Sequence, residues 1–263
     1  NFFEYCDGEA EIISIKSGEN IVRGNFFKES QGSVVLRHGD NNTVENNIFW
    51  GNGKAATGGV RVVNKGQWIV NNFFYKCTGV DFRAPLSVMN GIPNSPPTRY
   101  VQVQDAVIAN NTFYQCAPFS LCEGSDAERT LPPITSLVAN NIIYNSLNGR
   151  IYNAYDKLDG ISFAGNLYSG SKQTVNRGFA NSTFKMQMIR RLAVPSVSTA
   201  FPFSDSLQAV SKGRLNYVLS DRPGLSSPKS IDSIMQIAFR QCGAAWYTAG
   251  ALTEKTDFVT VHC

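Results

Sequence analysis

The chain has 263 residues, of which 43% are hydrophobic, 11% aromatic and 17% charged, with a formal net charge of +4 and a pI near 8.7. That is ample material for a hydrophobic core. No run approaches the roughly 20 apolar residues that span a bilayer, and the basic residues are too sparse and too interrupted by acids for nucleic-acid binding.

From the first residue onward a pattern repeats: an apolar residue, two positions, an asparagine, one position, then an aromatic or aliphatic residue. It reads Val22, Asn25, Phe27; Val44, Asn47, Phe49; Ile69, Asn72, Phe74; Ile108, Asn111, Phe113; Val138, Asn141, Ile143; and Phe163, Asn166, Tyr168. Asn1 and Phe3 fit its second half, and successive asparagines are 24, 22, 25, 39, 30 and 25 residues apart. The minimum step is one coil and the excess is loop. Short β-branched and apolar runs between Gly and Asn at this period predict an all-β solenoid, a parallel β-helix over residues 1–170. An Asn-rich surface turn in unrelated strands is the alternative. Each ladder Asn is expected at an inward bend, in a left-handed backbone, bonded to the Asn above and below. The fifth position after each, Cys6, Ser30, Asn52, Cys77, Cys116, Ser146 and Ser171, is expected to form a second stacked column.

The chain opens without a basic then apolar leader, and Asn1 already occupies a ladder position. The expectation is a fragment or processed portion of a longer protein, with upstream coils supplied by the same precursor or by a second chain. Next come Glu9 and Glu11, separated by Ala10 and so expected on one face of a short strand. Two like charges so close need a cation: calcium, which takes oxygen ligands, or a nearby Lys or Arg, unless both are simply solvated. Lys16, Arg37, Arg61 and Arg83 follow at intervals of 21, 24 and 22, close to the coil repeat, and are expected to form a basic column for a polyanion lying along the axis. A solvated charged face is the alternative. Segments Leu86 to Tyr100 and Ala117 to Pro133 are long insertions, where substrate contacts gather on a rigid scaffold.

After Tyr168 the ladder fades. Residues 171–263 read as a capping or flanking region, with helix-like stretches from Phe184 to Leu192 and from Ser230 to Gln241 and connections such as Ser226-Ser227-Pro228. Such a cap would cover unpaired strands at the solenoid end. Of six cysteines, Cys6, Cys77 and Cys116 share one column and are expected as buried free thiols. Cys122, Cys242 and Cys263 stay undecided, with Cys242 to Cys263 one pairing open to them.

The segments YCDGEAEIISIKSGEN, GSVVLRHGDNNTVENN, GGVRVVNKGQ and VMNGIPNSPPTRY resemble the polysaccharide lyase family of alginate lyases and chondroitinase B, which are right-handed parallel β-helices. The resemblance runs from Asn1 to about Tyr168, in order, spacing and content. It implies that Glu9 and Glu11 are calcium ligands, Lys16 the Brønsted base and Arg37 the Brønsted acid. It further implies that Arg61 and Arg83 bind substrate and that His38 lies close to the cleavage point. The family takes a further calcium ligand, an asparagine, from a coil upstream of the glutamates, which this chain lacks.

Elementary chemistry runs the same way. The C5 proton of a 4-linked uronate is acidic only once the adjacent carboxylate is neutralised, by calcium or by Arg37. A lysine's ordinary pKa is about 10.4, so a lysine base calls for neighbouring cations or for activity that rises towards alkaline pH. Arginine rarely gives up a proton, so Arg37 is expected to stabilise charge on the leaving O4, with water or Tyr100 delivering the proton. The product is a 4,5-unsaturated oligosaccharide. Alginate is the expected substrate, on the likeness of VMNGIPNSPPTRY to alginate-cleaving members; dermatan sulfate and a non-catalytic polysaccharide-binding module are the alternatives. A polymeric substrate implies a secreted or periplasmic protein.

Overall fold

The computed structural model describes residues 1–146, 149–170, 173, 178–189, 192–196 and 260–261. Each turn of the chain lays down one short strand on each of three parallel sheets. The first turn contributes β1 (Phe2–Glu4), β2 (Glu11–Lys16) and β3 (Ile21–Arg23), and the second β4 (Phe26–Lys28), β5 (Gly32–His38) and β6 (Thr43–Glu45). The third adds β7 (Ile48–Trp50), β8 (Thr57–Val62) and β9 (Trp68–Val70), and the fourth β10 (Phe73–Tyr75), β11 (Leu86–Met89) and β12 (Val107–Ala109), with a 3-10 turn at Asp81–Arg83 before β11. Two more turns bring β13 (Thr112–Tyr114), β14 (Phe119–Glu123), β15 (Ser136–Ala139), β16 (Ile142–Tyr144), β17 (Tyr152–Ala154) and β18 (Ile161–Ala164). The first sheet continues through β19 (Asn166–Ser169) and β20 (Phe179–Asn181). This is the expected parallel β-helix.

The alternation of the strands explains the core. In each triplet of the first sheet the middle residue points inward, so Phe3, Phe27, Phe49, Phe74 and Phe113 stack ring on ring, with centroids 4.8, 4.7, 4.7 and 4.4 Å apart. These spacings match the strand separation of a sheet, so the aromatic column and the backbone ladder share one repeat.

The asparagine ladder is continuous. The side-chain amide of Asn1 donates to Asn25 at 2.9 Å, Asn25 to Asn47 at 2.9 Å, Asn47 to Asn72 at 3.0 Å, Asn72 to Asn111 at 3.0 Å, Asn111 to Asn141 at 3.0 Å and Asn141 to Asn166 at 2.9 Å. The left-handed backbone, however, belongs to the residue before each one: Gly24, Asn46, Asn71, Asn110, Asn140 and Gly165 have φ of 66, 53, 61, 56, 54 and 61°. The preceding residue makes the turn, which leaves the ladder residue free to aim its amide along the axis.

The second column is also corrected at two places. Asn52 and Ser146 are exposed, and the inward positions are taken by Gly51 and Asn145. Gly51 packs so tightly that a Cβ there would lie 2.8 Å from the Cys77 Cα. Asn145 donates to the Cys116 carbonyl at 2.6 Å. Cys6, Cys77, Cys116 and Cys122 are buried free thiols; burial drives the Cys77 thiol well up and pushes Cys122 up to about 12.

The helix expectation for Phe184 to Leu192 fails over Lys185–Ile189 and at Leu192. β21 (Lys185–Ile189) and β22 (Leu192–Ser196) pair antiparallel, with Met186 opposite Pro195. Lys185 and Gln187 alternate with Met186 and Met188, the two-residue period of a strand, and Pro195 is accepted by the short partner strand. Ser171, Cys242, Cys263 and the stretch Ser230–Gln241 lie outside the described residues. The final described strand, β23 (Thr260–Val261), runs parallel to β1.

Candidate active site

The second sheet carries the charged residues. β2 begins at Glu11, so Glu9 lies in the bend before it rather than on the same strand. Gly32, at φ +102°, fits under that bend because a Cβ would come within 2.7 Å of the Ala10 carbonyl. Along β5, Val34 and Leu36 point into the core, which turns Arg37 outward.

The basic residues do not form a straight column. Lys16 is in register with His38, while Arg61 is opposite Val35, two residues before Arg37. Side-chain reach makes up the offset. The Arg61 guanidinium lies 3.3 Å from Glu11 Oε1 and that of Arg37 3.9 Å from the same oxygen. Arg37 also donates to the Tyr100 hydroxyl at 2.8 Å. The structure therefore brings together Glu11, Arg37, Arg61 and Tyr100.

The Arg61 side chain is only 5% exposed. Its burial lowers the pKa of the guanidinium, with Arg37 and Arg83 pushing the same way against Tyr100 and Glu11. It stays charged, because a guanidinium is effectively always protonated in proteins, and a cation so shielded from water acts strongly on any anion that reaches it.

Four other sequence candidates lie around this core. Lys16 ends β2, exposed, with no hydrogen bond or ion pair of its side chain among the described residues. His38 is half-buried and its Nδ1 is buried without a partner. Arg83 is exposed in the 3-10 turn rather than on a strand. Glu9 is exposed and likewise without a side-chain partner among the described residues.

Two residues escaped the sequence reading. Phe82 accepts Arg61 against its ring at 5.2 Å from the centroid and takes the Arg61 Nε–H on its carbonyl at 3.0 Å. Arg129, from the insertion after β14, packs on Phe82 and Tyr100 at 5.8 and 5.5 Å. The aromatic at 82 beside Arg83 and the Asp126-x-x-Arg129 spacing were the only signals for them.

For a metal, the chain offers Glu9 and Glu11. No set of three or more His, Cys, Asp or Glu converges among the described residues. Two carboxylates, one of them already facing two guanidiniums, supply only part of the about six to eight oxygens that surround calcium. They fit as a partial donor set.

Comparison with known proteins follows the same lines. Among curated proteins nothing matches the chain. Among solved structures, the PL6 family alginate lyase AlyGC is 43% identical, with a TM-score of 0.71, over 75% of this chain and 28% of its own. The alginate lyase AlyF-OU02, solved in complex with G6, is 25% identical over 73% of this chain and 46% of its own, with a TM-score of 0.63. A mannuronic acid specific family 6 lyase from human gut microbiota is 24% identical, with a TM-score of 0.58, over 90% of this chain and 52% of its own, and supports the fold. The chain thus spans between about a quarter and a half of the length of these enzymes. The family model for chondroitinase B matches residues 1–202, and the chain belongs to that family of polysaccharide lyases.

Proposed function

We propose that this chain carries the catalytic groups of a lyase that cleaves a 4-linked uronate polymer, alginate in the first place, by β-elimination. The observation that carries the reading is the convergence of Arg37 and Arg61 on Glu11, with the Tyr100 hydroxyl 2.8 Å from Arg37. Two guanidiniums already paired with one carboxylate are arranged to receive another, from the substrate, in its stead or beside it.

In this reading the uronate carboxylate binds between Arg37 and Arg61, whose charge stabilises the enolate as it forms. Lys16, exposed beside His38, takes the C5 proton on its free amine. The electron pair left behind closes the C4–C5 double bond, and the C4–O4 bond breaks. The departing O4 takes a proton from the Tyr100 hydroxyl or from water, while Arg37 holds the charge. Glu9 and Glu11 are the donors this chain offers to calcium, which when bound would act as a Lewis acid on the uronate oxygens. The polymeric substrate supports a secreted or periplasmic location.

A second substrate, dermatan sulfate, is favoured by one observation, the matching family model. The test offers alginate and dermatan sulfate separately, with and without a chelator, and follows the ultraviolet absorbance of the conjugated product. A rise with alginate is expected, and its loss with chelator would support calcium on Glu9 and Glu11. If neither polymer gives a product although alginate binds, the chain is a binding module and the lyase reading falls.

A further inference from the structure

Phe82 and Tyr100 each lie against two guanidiniums. Arg61 and Arg129 share Phe82, at 5.2 and 5.8 Å from its centroid, and Arg37 and Arg129 share Tyr100, at 4.8 and 5.5 Å. Arg129 is the member common to both rings, and its guanidinium is held at two points. Its Nε–H donates to the Gly124 carbonyl at 2.6 Å and its Nη2 to Asp126 at 2.5 Å. Its backbone N–H donates to Asp126 at 2.7 Å, and its carbonyl accepts from Asn90 at 3.2 Å. Asn90 is fully buried and donates as well to Asp156 at 2.8 Å.

The two insertions that bring these groups together are strapped to each other. Gly91 and Leu131 exchange backbone hydrogen bonds of 2.7 and 2.9 Å, and Arg99 pairs with Glu128. Gly124, at φ +74°, leaves room for the Arg129 head, which a Cβ would meet at 3.1 Å.

Two of the five guanidinium N–H donors of Arg129 are thus engaged inside the protein, and its flat face lies against two rings. We infer that Arg129 is a positioning residue: it fixes Phe82 and Tyr100 and, through them, the angle at which Arg61 and Arg37 present their guanidiniums to an incoming carboxylate. Like charges repel, and the negative ring faces between them allow three guanidiniums to crowd one groove. The inference deepens the lyase reading and rests on it for its consequence, though its geometry stands apart from turnover.

The test uses the whole chain and reads the guanidinium Nε–H resonances of Arg37 and Arg61 by proton–nitrogen NMR, assigned with Arg37→Lys and Arg61→Lys. Rings held against these groups shift their signals, so Arg129→Ala is expected to move both. Arg129→Lys should also leave both displaced, because an ammonium keeps the charge but has no planar face. Unmoved signals in Arg129→Ala, or full recovery in Arg129→Lys, would overturn the inference. For the folded enzyme, KM for an oligouronate should rise about tenfold in Arg129→Ala, and by much less when Tyr100 and Phe82 are already alanine, since coupled residues are not additive. Equal effects in both backgrounds would make Arg129 an independent contact. Should no variant and no wild type turn over substrate while the NMR signals still move, the lyase reading fails and the positioning role stands.

Discussion

Arg37 Nη1 donates to the Tyr100 hydroxyl at 2.8 Å, and its guanidinium lies 4.8 Å from the centroid of that tyrosine's own ring. One residue thus supplies both a ring for a cation to lean on and a hydroxyl for it to hold. Because the hydroxyl accepts from Arg37, its own proton is free to be aimed at substrate. Tyr100→Phe keeps the ring and removes the hydroxyl; kcat for alginate should fall about 10²-fold, with KM within about twofold, because the proton transfer that is lost acts only in the transition state. A variant with unchanged kcat would assign the proton on O4 to water.

Among the described residues Lys16, unlike Arg37 and Arg61, has no side-chain partner to lose. Lys16→Ala should lower kcat by at least about 10³-fold, while calorimetry with an oligouronate gives an affinity close to wild type. Loss of binding together with activity would make Lys16 an anchor and leave the reaction without its base.

The ladder gives a stability prediction with an internal control. Asn72 takes the backbone and side-chain N–H of Asn47 on one oxygen and donates to Val44, Val70 and Asn111. Asn72→Ala strands several buried groups and should cost about 3 kcal/mol or more in denaturant unfolding. Asn52→Gly, which removes an exposed bond to Glu29 and tolerates the left-handed backbone there, φ 52°, should cost no more than about 1 kcal/mol. Similar losses at both sites would show that the ladder adds nothing to ordinary hydrogen bonding.

Glu123 ends β14 with one carboxyl oxygen buried and unpartnered. Burial, and then the charge of Asp81, raises its pKa above the ordinary 4.5, against Ser120, the Gly124 N–H and Arg129. A carboxyl whose pKa is raised by folding stabilises the fold in its protonated form, fully below the ordinary value, and loses that contribution as pH rises through the folded value. Glu123→Gln, neutral throughout, should therefore gain in Tm relative to wild type on going from about pH 4 to about pH 8. A constant difference in Tm across that range would mean that the carboxyl titrates alike in both states.

The sequence carried the parts of the molecule that repeat. Asn and Phe at a fixed interval follow directly from coils that must stack like on like. What the period could not resolve was which member of the pairs Asn46-Asn47, Asn71-Asn72, Asn110-Asn111 and Asn140-Asn141 makes the turn, because both can adopt a left-handed backbone; only the hydrogen bonds separate them. The same divide runs through the site. Arg37 and Arg61 lie on strands, where alternation alone turns them outward. Phe82 and Arg129 reach the groove through an irregular turn and a folded-back insertion, whose paths depend on contacts such as Gly91 with Leu131 that have no periodic trace. Glu9 was misjudged for a related reason: the strand it was expected to join starts two residues later, after a bend fitted to Gly32.

Between Asn25 and Asn47 the chain takes 22 residues to complete a turn, and between Asn72 and Asn111 it takes 39, yet the ladder bonds across the two intervals are 2.9 and 3.0 Å. The solenoid behaves as a ruler whose gradations are indifferent to how much chain hangs between them. Loops can lengthen, shorten or exchange over the groove without altering the pitch at which the strands present their charges, so substrate preference and reach can be retuned in the overhangs while the scale beneath keeps its calibration.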